Sequence, residues 1–178
     1  MGRKCRKVLF CGNYWKNWFN SLIMIRFLGE YEATLDTKGR FLLPAGFKKQ
    51  LPDADTPRYV INRGFQKYLN LYPIQNWDLL FEDISKLNDF DPKVREFLDY
   101  FLNGATFVEP DSAGRLLLPP NLKEQAGLDK DIVLVAKIKR IEIWDSNKYK
   151  QKLFESFSEE RYSNLANEVM NKDRGIGN

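Results

Sequence analysis

The sequence repeats one motif: DTKGRFLLP at residues 36–44 returns as DSAGRLLLP at residues 111–119, 75 positions later. Six of the nine positions are identical. The similarity continues downstream, where residues 59–72 lie over residues 131–144 with apolar side chains at matching positions. A fixed internal period is typical of a chain built from repeated structural units. The sequence therefore predicts two copies of one unit of roughly 45 residues.

Each copy predicts the same order of local structures. The Asp-x-x-Gly-Arg segment is a tight reversal, because Asp36 or Asp111 accepts backbone N–H bonds and Gly39 or Gly114 supplies a positive φ. Strand-like residues flank the reversal, the following proline opens a short helix, and two alternating strands complete the copy. The unit is therefore ββαββ, and the fold class is α+β with strands dominant.

Helices are predicted around the two copies. One covers residues 76–87, and a second begins at Pro92 with Asp91 as its N-cap. The second helix has an apolar stripe at helical spacing, namely Val94, Phe97, Leu98 and Phe101. A third helix is expected over 147–157, followed by another over 158–170 and a frayed end over 171–178.

The domain organisation follows from these elements. The predicted segments are an N-terminal extension (1–23), unit 1 (29–76), a helical connector (77–104), unit 2 (105–148) and a C-terminal helix with its tail (149–178).

Composition indicates a globular protein and excludes several kinds of site. The chain has 178 residues, of which 43% are hydrophobic and 29% are charged, and it has no histidine. Its two cysteines are Cys5 and Cys11. These counts exclude histidine-dependent catalytic triads, histidine-ligated zinc and a disulfide framework. The longest apolar run is far shorter than the roughly 18 residues that span a bilayer. We therefore predict no catalytic residue, metal or cofactor.

The positive charge of the chain is concentrated at its beginning. Residues 1–23 carry five of the 28 basic residues and none of the 24 acidic ones, so residues 24–178 have a net charge of −1. Polar residues interrupt the apolar part of this segment, which makes a secretory signal or a membrane-surface anchor a weak interpretation. We expect residues 1–23 to lie outside the fold, either as a disordered extension or upstream of a true start at Met24.

The arginine of each motif is the candidate for function, because the turn itself requires only the aspartate and the glycine. Arg40 and Arg115 occupy equivalent positions, and arginine is the usual bidentate partner of guanine in duplex DNA. An alternative stays open, in which each arginine pairs with its aspartate and holds the turn. Lysines in the first turn and on the short helices suit phosphate contact; they are Lys38, Lys48, Lys49 and Lys123.

The doubled motif, together with RFLGEYEATLD at residues 26–36, LNLYP at 69–73 and IEIWD at 141–145, resembles the MraZ family of bacterial transcriptional regulators. Each unit also resembles the AbrB-type swapped-hairpin module, in which the arginine and the basic helix residues face DNA. The resemblance implies two swapped-hairpin units around one pseudo-two-fold barrel, with flanking helices. In the second unit Glu124 occupies the position of Lys49, and Ala113 occupies the position of Lys38. The first unit is therefore expected to read DNA more strongly.

The resemblance also implies how such a protein works. MraZ proteins form rings, bind short direct repeats in double-stranded DNA and regulate the division and cell-wall gene cluster that contains their own gene. The expected location is the bacterial cytoplasm, at the nucleoid. Two rival functions remain: an antitoxin-like, oligomeric protein-interaction scaffold without a DNA role, and a barrel enzyme that uses carboxylates.

Overall fold

The computed structural model describes residues 24–52, 57–156 and 158–173. The predicted N-terminal extension, 1–23, and the last five residues of the tail lie outside the described residues. Within the described ranges, no helix is both long enough and apolar enough to cross a membrane.

The elements follow the predicted repeat. Unit 1 contains β1 (Glu30–Thr34), β2 (Arg40–Leu42), α1 (Ala45–Lys48), β3 (Tyr59–Arg63) and β4 (Leu69–Pro73). Helix α2 (Ile74–Ser85) begins within the last residues of the predicted unit 1 and continues into the connector, which also contains α3 (Pro92–Leu102). Unit 2 contains β5 (Thr106–Val108), β6 (Arg115–Leu117), α4 (Pro120–Ala126), β7 (Asp131–Lys137) and β8 (Arg140–Asp145). The chain continues into α5 (Ser146–Ser156) and α6 (Glu159–Asp173).

Strand pairing exchanges elements between the two units, as the swapped-hairpin prediction requires. Six antiparallel strands form one sheet in the order β1-β7-β8-β4-β3-β5, and β2 pairs with β6 in a second, two-stranded sheet. Strand β1 of unit 1 therefore lies on β7 of unit 2, with Tyr31 opposite Leu134, and β5 of unit 2 lies on β3 of unit 1. The two hairpins meet where Leu71 pairs with Ile141.

The predicted barrel has no hydrogen-bonded closure between β1 and β5 among the described ladders. The reason is that each of these strands leads into an Asp-x-x-Gly-Arg turn, which sends the next strand into the β2–β6 ladder.

The core is built from equivalent side chains of both units. After each turn, three apolar side chains point inward and are at most 2% exposed, namely Phe41, Leu43 and Phe47 in unit 1 and Leu116, Leu118 and Leu122 in unit 2. Burial of one such side chain stabilises a fold by about 1.5–3 kcal/mol. The repeated sequence pattern is therefore also the pattern of the shared core.

The helices depart from the sequence predictions mainly at their ends. Helix α2 begins two residues early, directly after Pro73, whose backbone has φ −58°. Helix α5 begins one residue early because the Asp145 carboxylate accepts the backbone N–H groups of Asn147 and Lys148. Helix α6 extends to Asp173, three residues beyond its predicted end and into the tail that was expected to fray.

Helix α3 has the predicted cap and a stripe that is only partly buried. The Asp91 side chain accepts the N–H of Lys93 at 2.9 Å. No residue of α3 is fully buried, and Phe97 is 37% exposed. The stripe reaches the rest of the protein through Phe101, whose ring stacks on buried Trp77 with centroids 5.8 Å apart.

Candidate nucleic-acid interface

The two Asp-x-x-Gly-Arg turns have the same hydrogen-bond pattern. In the first, Asp36 Oδ1 accepts the backbone N–H groups of Lys38 and Arg40, each at 2.9 Å. In the second, Asp111 Oδ1 accepts from Ala113 and Arg115, again at 2.9 Å. Each aspartate thus organises the backbone of its own turn.

Glycine closes both turns in the left-handed region of φ. Gly39 has φ +78° and Gly114 has φ +73°. Their N–H groups donate to the carbonyl oxygens of Asp36 and Asp111 at 2.9 and 2.8 Å. This backbone conformation is open to glycine and disfavoured for residues with a side chain.

Each arginine also binds the aspartate that forms its turn. Arg40 Nε donates to Asp36 Oδ2 at 2.7 Å. Arg115 makes a bidentate contact, with Nε and Nη2 at 2.9 and 2.7 Å from Asp111 Oδ2. The turn-holding pair that the sequence left open is therefore present in both units, while the reading of bases by these arginines stays a prediction.

Pairing of β2 with β6 brings the two turns together. Phe41 pairs with Leu116 at the centre of this ladder. Across it, Arg40 Nη1 lies 3.8 Å from Asp111 Oδ2, and Arg115 Nη1 lies 3.9 Å from Asp36 Oδ2. The two arginines and two aspartates form one charge cluster, here called the turn quartet, whose side chains are 27–37% exposed.

The quartet shifts the titration of its carboxylates. The backbone hydrogen bond from Arg40, followed by the contacts with its guanidinium and the N–H of Lys38, lowers the pKa of Asp36. The side-chain hydrogen bond from Arg115 is the main cause that lowers the pKa of Asp111 to about 2. The same bond raises the pKa of Arg115. The two carboxylates and two guanidinium groups have equal and opposite formal charges, so the quartet adds no net charge to this surface.

The lysines give this surface its positive charge. Lys38 is exposed within the first turn, and Lys48 and Lys49 are exposed at the end of α1. Lys48 reaches the opposite unit, since its Nζ lies 3.2 Å from where a Cβ on Gly114 would be. Lys123 of unit 2 reaches unit 1 in the same way, since its Cδ lies 3.9 Å from where a Cβ on Gly39 would be.

The structure thus joins most of the predicted site residues into one surface, here called the turn face. It consists of the turn quartet with Lys38, Lys48 and Lys123. Lys49 follows Lys48 at the end of α1, and Glu124 is exposed on α4. The sequence places these residues in each unit but gives no signal that each short helix lies over the turn of the other unit. In the described ranges, no three His, Cys, Asp or Glu side chains are grouped to hold a metal ion.

Comparison with known proteins also finds two repeated units in the chain. The sequence pattern of the MraZ protein family, described as antitoxin-like, matches residues 26–100 and again 101–172. The chain is similar to the transcriptional regulator MraZ of Christiangramia forsetii, with 42% identity over 84% of this chain and 96% of that protein. The proteins of the same name from Flavobacterium psychrophilum and Desulfitobacterium hafniense are 40% and 39% identical, over 80% and 82% of this chain and 90% and 97% of theirs.

Proposed function

The chain belongs to the MraZ family, and from that premise we propose that it is a DNA-binding transcriptional regulator whose turn face contacts duplex DNA. The relatives that it resembles are named transcriptional regulators, and the similarity covers nearly their whole length. A regulator that acts by binding needs no catalytic residue, cofactor or metal, and we propose none.

One observation carries the assignment of the turn face. Lysines from both units converge on the paired turns, with Lys48 over the second turn and Lys123 beside the first. Flexible lysines around a cluster whose own charges cancel supply a positive surface for phosphate oxygens. Because the two units are related by a pseudo-two-fold axis, the face can contact two equivalent features of one duplex.

The arginines differ in how much of each guanidinium is engaged. Arg115 binds Asp111 through both Nε and Nη2, whereas among the described contacts Arg40 makes its hydrogen bond through Nε alone. Arg40 Nη1 faces Asp111 Oδ2 at 3.8 Å, so Nη2 is the terminal nitrogen that remains for a guanine edge. This supports the proposal that unit 1 reads DNA more strongly than unit 2.

The finer parts of the proposal rest on the family resemblance. We propose that the DNA sites are short direct repeats upstream of the protein's own gene, in the division and cell-wall gene cluster. We also propose that the protein acts as a ring-shaped homo-oligomer in the bacterial cytoplasm, at the nucleoid. Linking several weak contacts in one assembly raises avidity by roughly 10²–10⁴, which suits a chain whose folded part is nearly neutral.

A mobility-shift experiment with the DNA upstream of the gene tests the function. The wild-type protein should shift this fragment and not a shuffled one of equal composition. Arg40→Ala should weaken binding by roughly 5- to 150-fold for each lost base contact, or about 1–3 kcal/mol. The exposed Arg95, which lies on α3 and donates to the Asp89 carbonyl oxygen, provides the matched control, and Arg95→Ala should bind as the wild type does.

Thermal melting separates the two roles of Arg40. Asp36 keeps its backbone hydrogen bonds in Arg40→Ala, so the melting temperature should change little. A variant that unfolds while its soluble fraction keeps full affinity would assign Arg40 to the turn alone. Absence of any specific shift by the wild type would favour the antitoxin-like interaction scaffold over a regulator.

A further inference from the structure

A cavity of about 460 Å³ lies between the β3–β4 hairpin and α3, and its lining includes no residue of the turn face. Its walls combine aromatic rings with polar side chains, and the rings include Tyr68 just before β4, Tyr72 on β4, and Phe97, Tyr100 and Phe101 on α3. Small-molecule sites commonly have volumes of roughly 300–1,000 Å³, with apolar and aromatic walls and a few polar groups. The cavity therefore has the size and lining of a ligand site.

The polar atoms of this cavity are unusual. Across the described residues, three buried side-chain polar atoms have no hydrogen-bond partner: Arg63 Nε, Asn70 Oδ1 and Arg140 Nε. All three residues line this one cavity. Unpaired buried polar groups are costly and rare in folded proteins. Their concentration at one place indicates groups arranged for a ligand.

The Asn70 amide is fixed with its oxygen as the remaining acceptor. The residue is only 4% exposed. Its Nδ2 donates both hydrogens, to Asn62 Oδ1 at 3.1 Å and to the Arg63 carbonyl oxygen at 3.0 Å. Asn62 in turn donates to the carbonyl oxygen of Phe101 on α3 at 3.2 Å. This chain of bonds ties the strands to the helix and leaves Oδ1 to receive a donor.

The two arginines are held in place by their terminal nitrogens. Arg140 Nη2 donates to Glu142 at 3.1 Å, and Glu142 also accepts the indole N–H of Trp144 at 3.0 Å. Arg63 Nη2 donates to Asn103 Oδ1 at 3.2 Å. Each guanidinium is thus oriented while its Nε–H remains unused. The Glu142 carboxylate accepts from Arg140 Nη2 and from Trp144, and among the described contacts it accepts from neither Nε–H group.

We propose that this cavity binds a small planar anion, that is, a molecule with an aromatic ring, a carboxylate or phosphate group and at least one N–H or O–H donor. The two cationic Nε–H groups donate charge-assisted hydrogen bonds to the oxygens of the anion. Asn70 Oδ1 accepts the donor, and the ring packs among the aromatic walls. Lys93 and Glu96 both line the cavity as well, and their opposite charges cancel. The site goes beyond the DNA-binding function and does not depend on it.

Calorimetric titration of the full-length protein tests the site and identifies the anion. Adenosine 5′-monophosphate probes the phosphate class, and N-acetyl-L-tyrosine probes the carboxylate class. Adenosine and N-acetyl-L-tyrosinamide are their uncharged counterparts. We expect one of the two anions to bind, and its uncharged counterpart to bind at least roughly tenfold more weakly, because the charge-assisted bonds are lost.

Variants at the two ends of β3 locate the binding. Arg63→Lys keeps the charge but removes Nε, and it should weaken binding of the anion by roughly tenfold. Arg58→Lys, at an exposed arginine just before the same strand, and Lys48→Ala, on the turn face, should bind as the wild type does. Melting temperatures of all variants show that the fold is retained, and Arg140→Lys provides a second test if Arg63→Lys is unstable.

Three outcomes would overturn the proposal. One is that neither anion binds at millimolar concentration. Another is that the uncharged counterpart binds as tightly as the anion. The third is that folded Arg63→Lys and Arg140→Lys both bind as the wild type does, or that Lys48→Ala abolishes binding, which would place the anion on the turn face.

Discussion

The turn glycines give a prediction whose size follows from the structure. At Gly39 the backbone has φ +78°, and the nearest atoms to an added Cβ are 3.8 and 3.9 Å away, which is ordinary contact distance. A Cβ therefore fits in space, and the backbone conformation is the main source of the penalty of Gly39→Val. Holding a non-glycine residue in this region costs about 1–3 kcal/mol.

This penalty converts into a measurable shift. In a protein of this size, 1 kcal/mol lowers the melting temperature by about 2–4 °C, so Gly39→Val should melt about 2–12 °C below the wild type. Truncating the neighbouring side chain of Lys123 should not relieve this backbone strain. Gly39→Val should therefore lower the melting temperature equally in the wild type and in a Lys123→Ala background. Circular dichroism melts and urea titrations of the four proteins give the comparison.

Gly46 provides a contrast in which the penalty is steric. A Cβ at Gly46 would overlap the hydroxyl and ring of Tyr31. That ring packs edge-on against Phe47, with centroids 4.7 Å apart, so it cannot move freely. Gly46→Ala should therefore be destabilising in the wild type and much less so in a Tyr31→Ala background, because the two residues are coupled.

Two results would refute this reasoning about the turns. Unchanged melting temperatures for both Gly39→Val and Gly114→Val would mean that the left-handed turns are not part of the fold. Rescue of Gly39→Val by Lys123→Ala would mean that its penalty is a collision and not backbone strain.

Three further predictions concern salt and pH. Lys48→Ala should weaken binding to all DNA sequences alike and reduce the slope of log Kd against log salt by about 0.9 for each subunit in contact. The control Lys150→Ala, at an exposed lysine, should leave the slope unchanged, and fluorescence-anisotropy titrations measure both slopes. The pKa of Asp111 falls from 3.8 to about 2 on folding, so its charged form stabilises the fold above pH 3.8, and this stabilisation is lost as the pH falls towards 2. The difference in melting temperature between the wild type and Asp111→Asn should therefore shrink between pH 3.8 and 2. A constant difference would contradict the ion pair. Burial raises the pKa of Tyr59 from 10 to about 12, so its neutral form stabilises the fold below pH 10, and this stabilisation is lost as the pH rises through 12. Tyr59→Phe should therefore move alkaline unfolding, followed by circular dichroism, to higher pH. An unmoved transition would place the ionised tyrosine outside the core.

The local parts of the site could be predicted from the sequence. The Asp-x-x-Gly-Arg motif specifies its own turn, because the aspartate accepts N–H groups two and four residues away. The same holds for the Asp91 cap, which lies two residues from its donor. Interactions of this range depend on a few backbone angles, which residue types such as glycine and proline fix directly.

The helix–sheet contacts could not be predicted in the same way. Asn76 marks a helix start in the sequence, but in the structure its amide bonds the backbone of Ile25, 51 positions away. The apolar stripe of α3 predicts burial, but only the packing of neighbouring elements decides that Phe97 remains 37% exposed.

The sequence by itself determined the two units, their order of elements, the turns and the positions of the arginines and lysines that we propose contact DNA. Only the tertiary structure decided that the turns share one charge quartet, that each short helix lies over the other unit's turn, and that Arg63, Asn70 and Arg140 meet in one cavity. The physical reason is distance along the chain. These contacts join residues far apart in sequence, and they form only when buried side chains from both units fix the register of β2 against β6 and of one hairpin against the other.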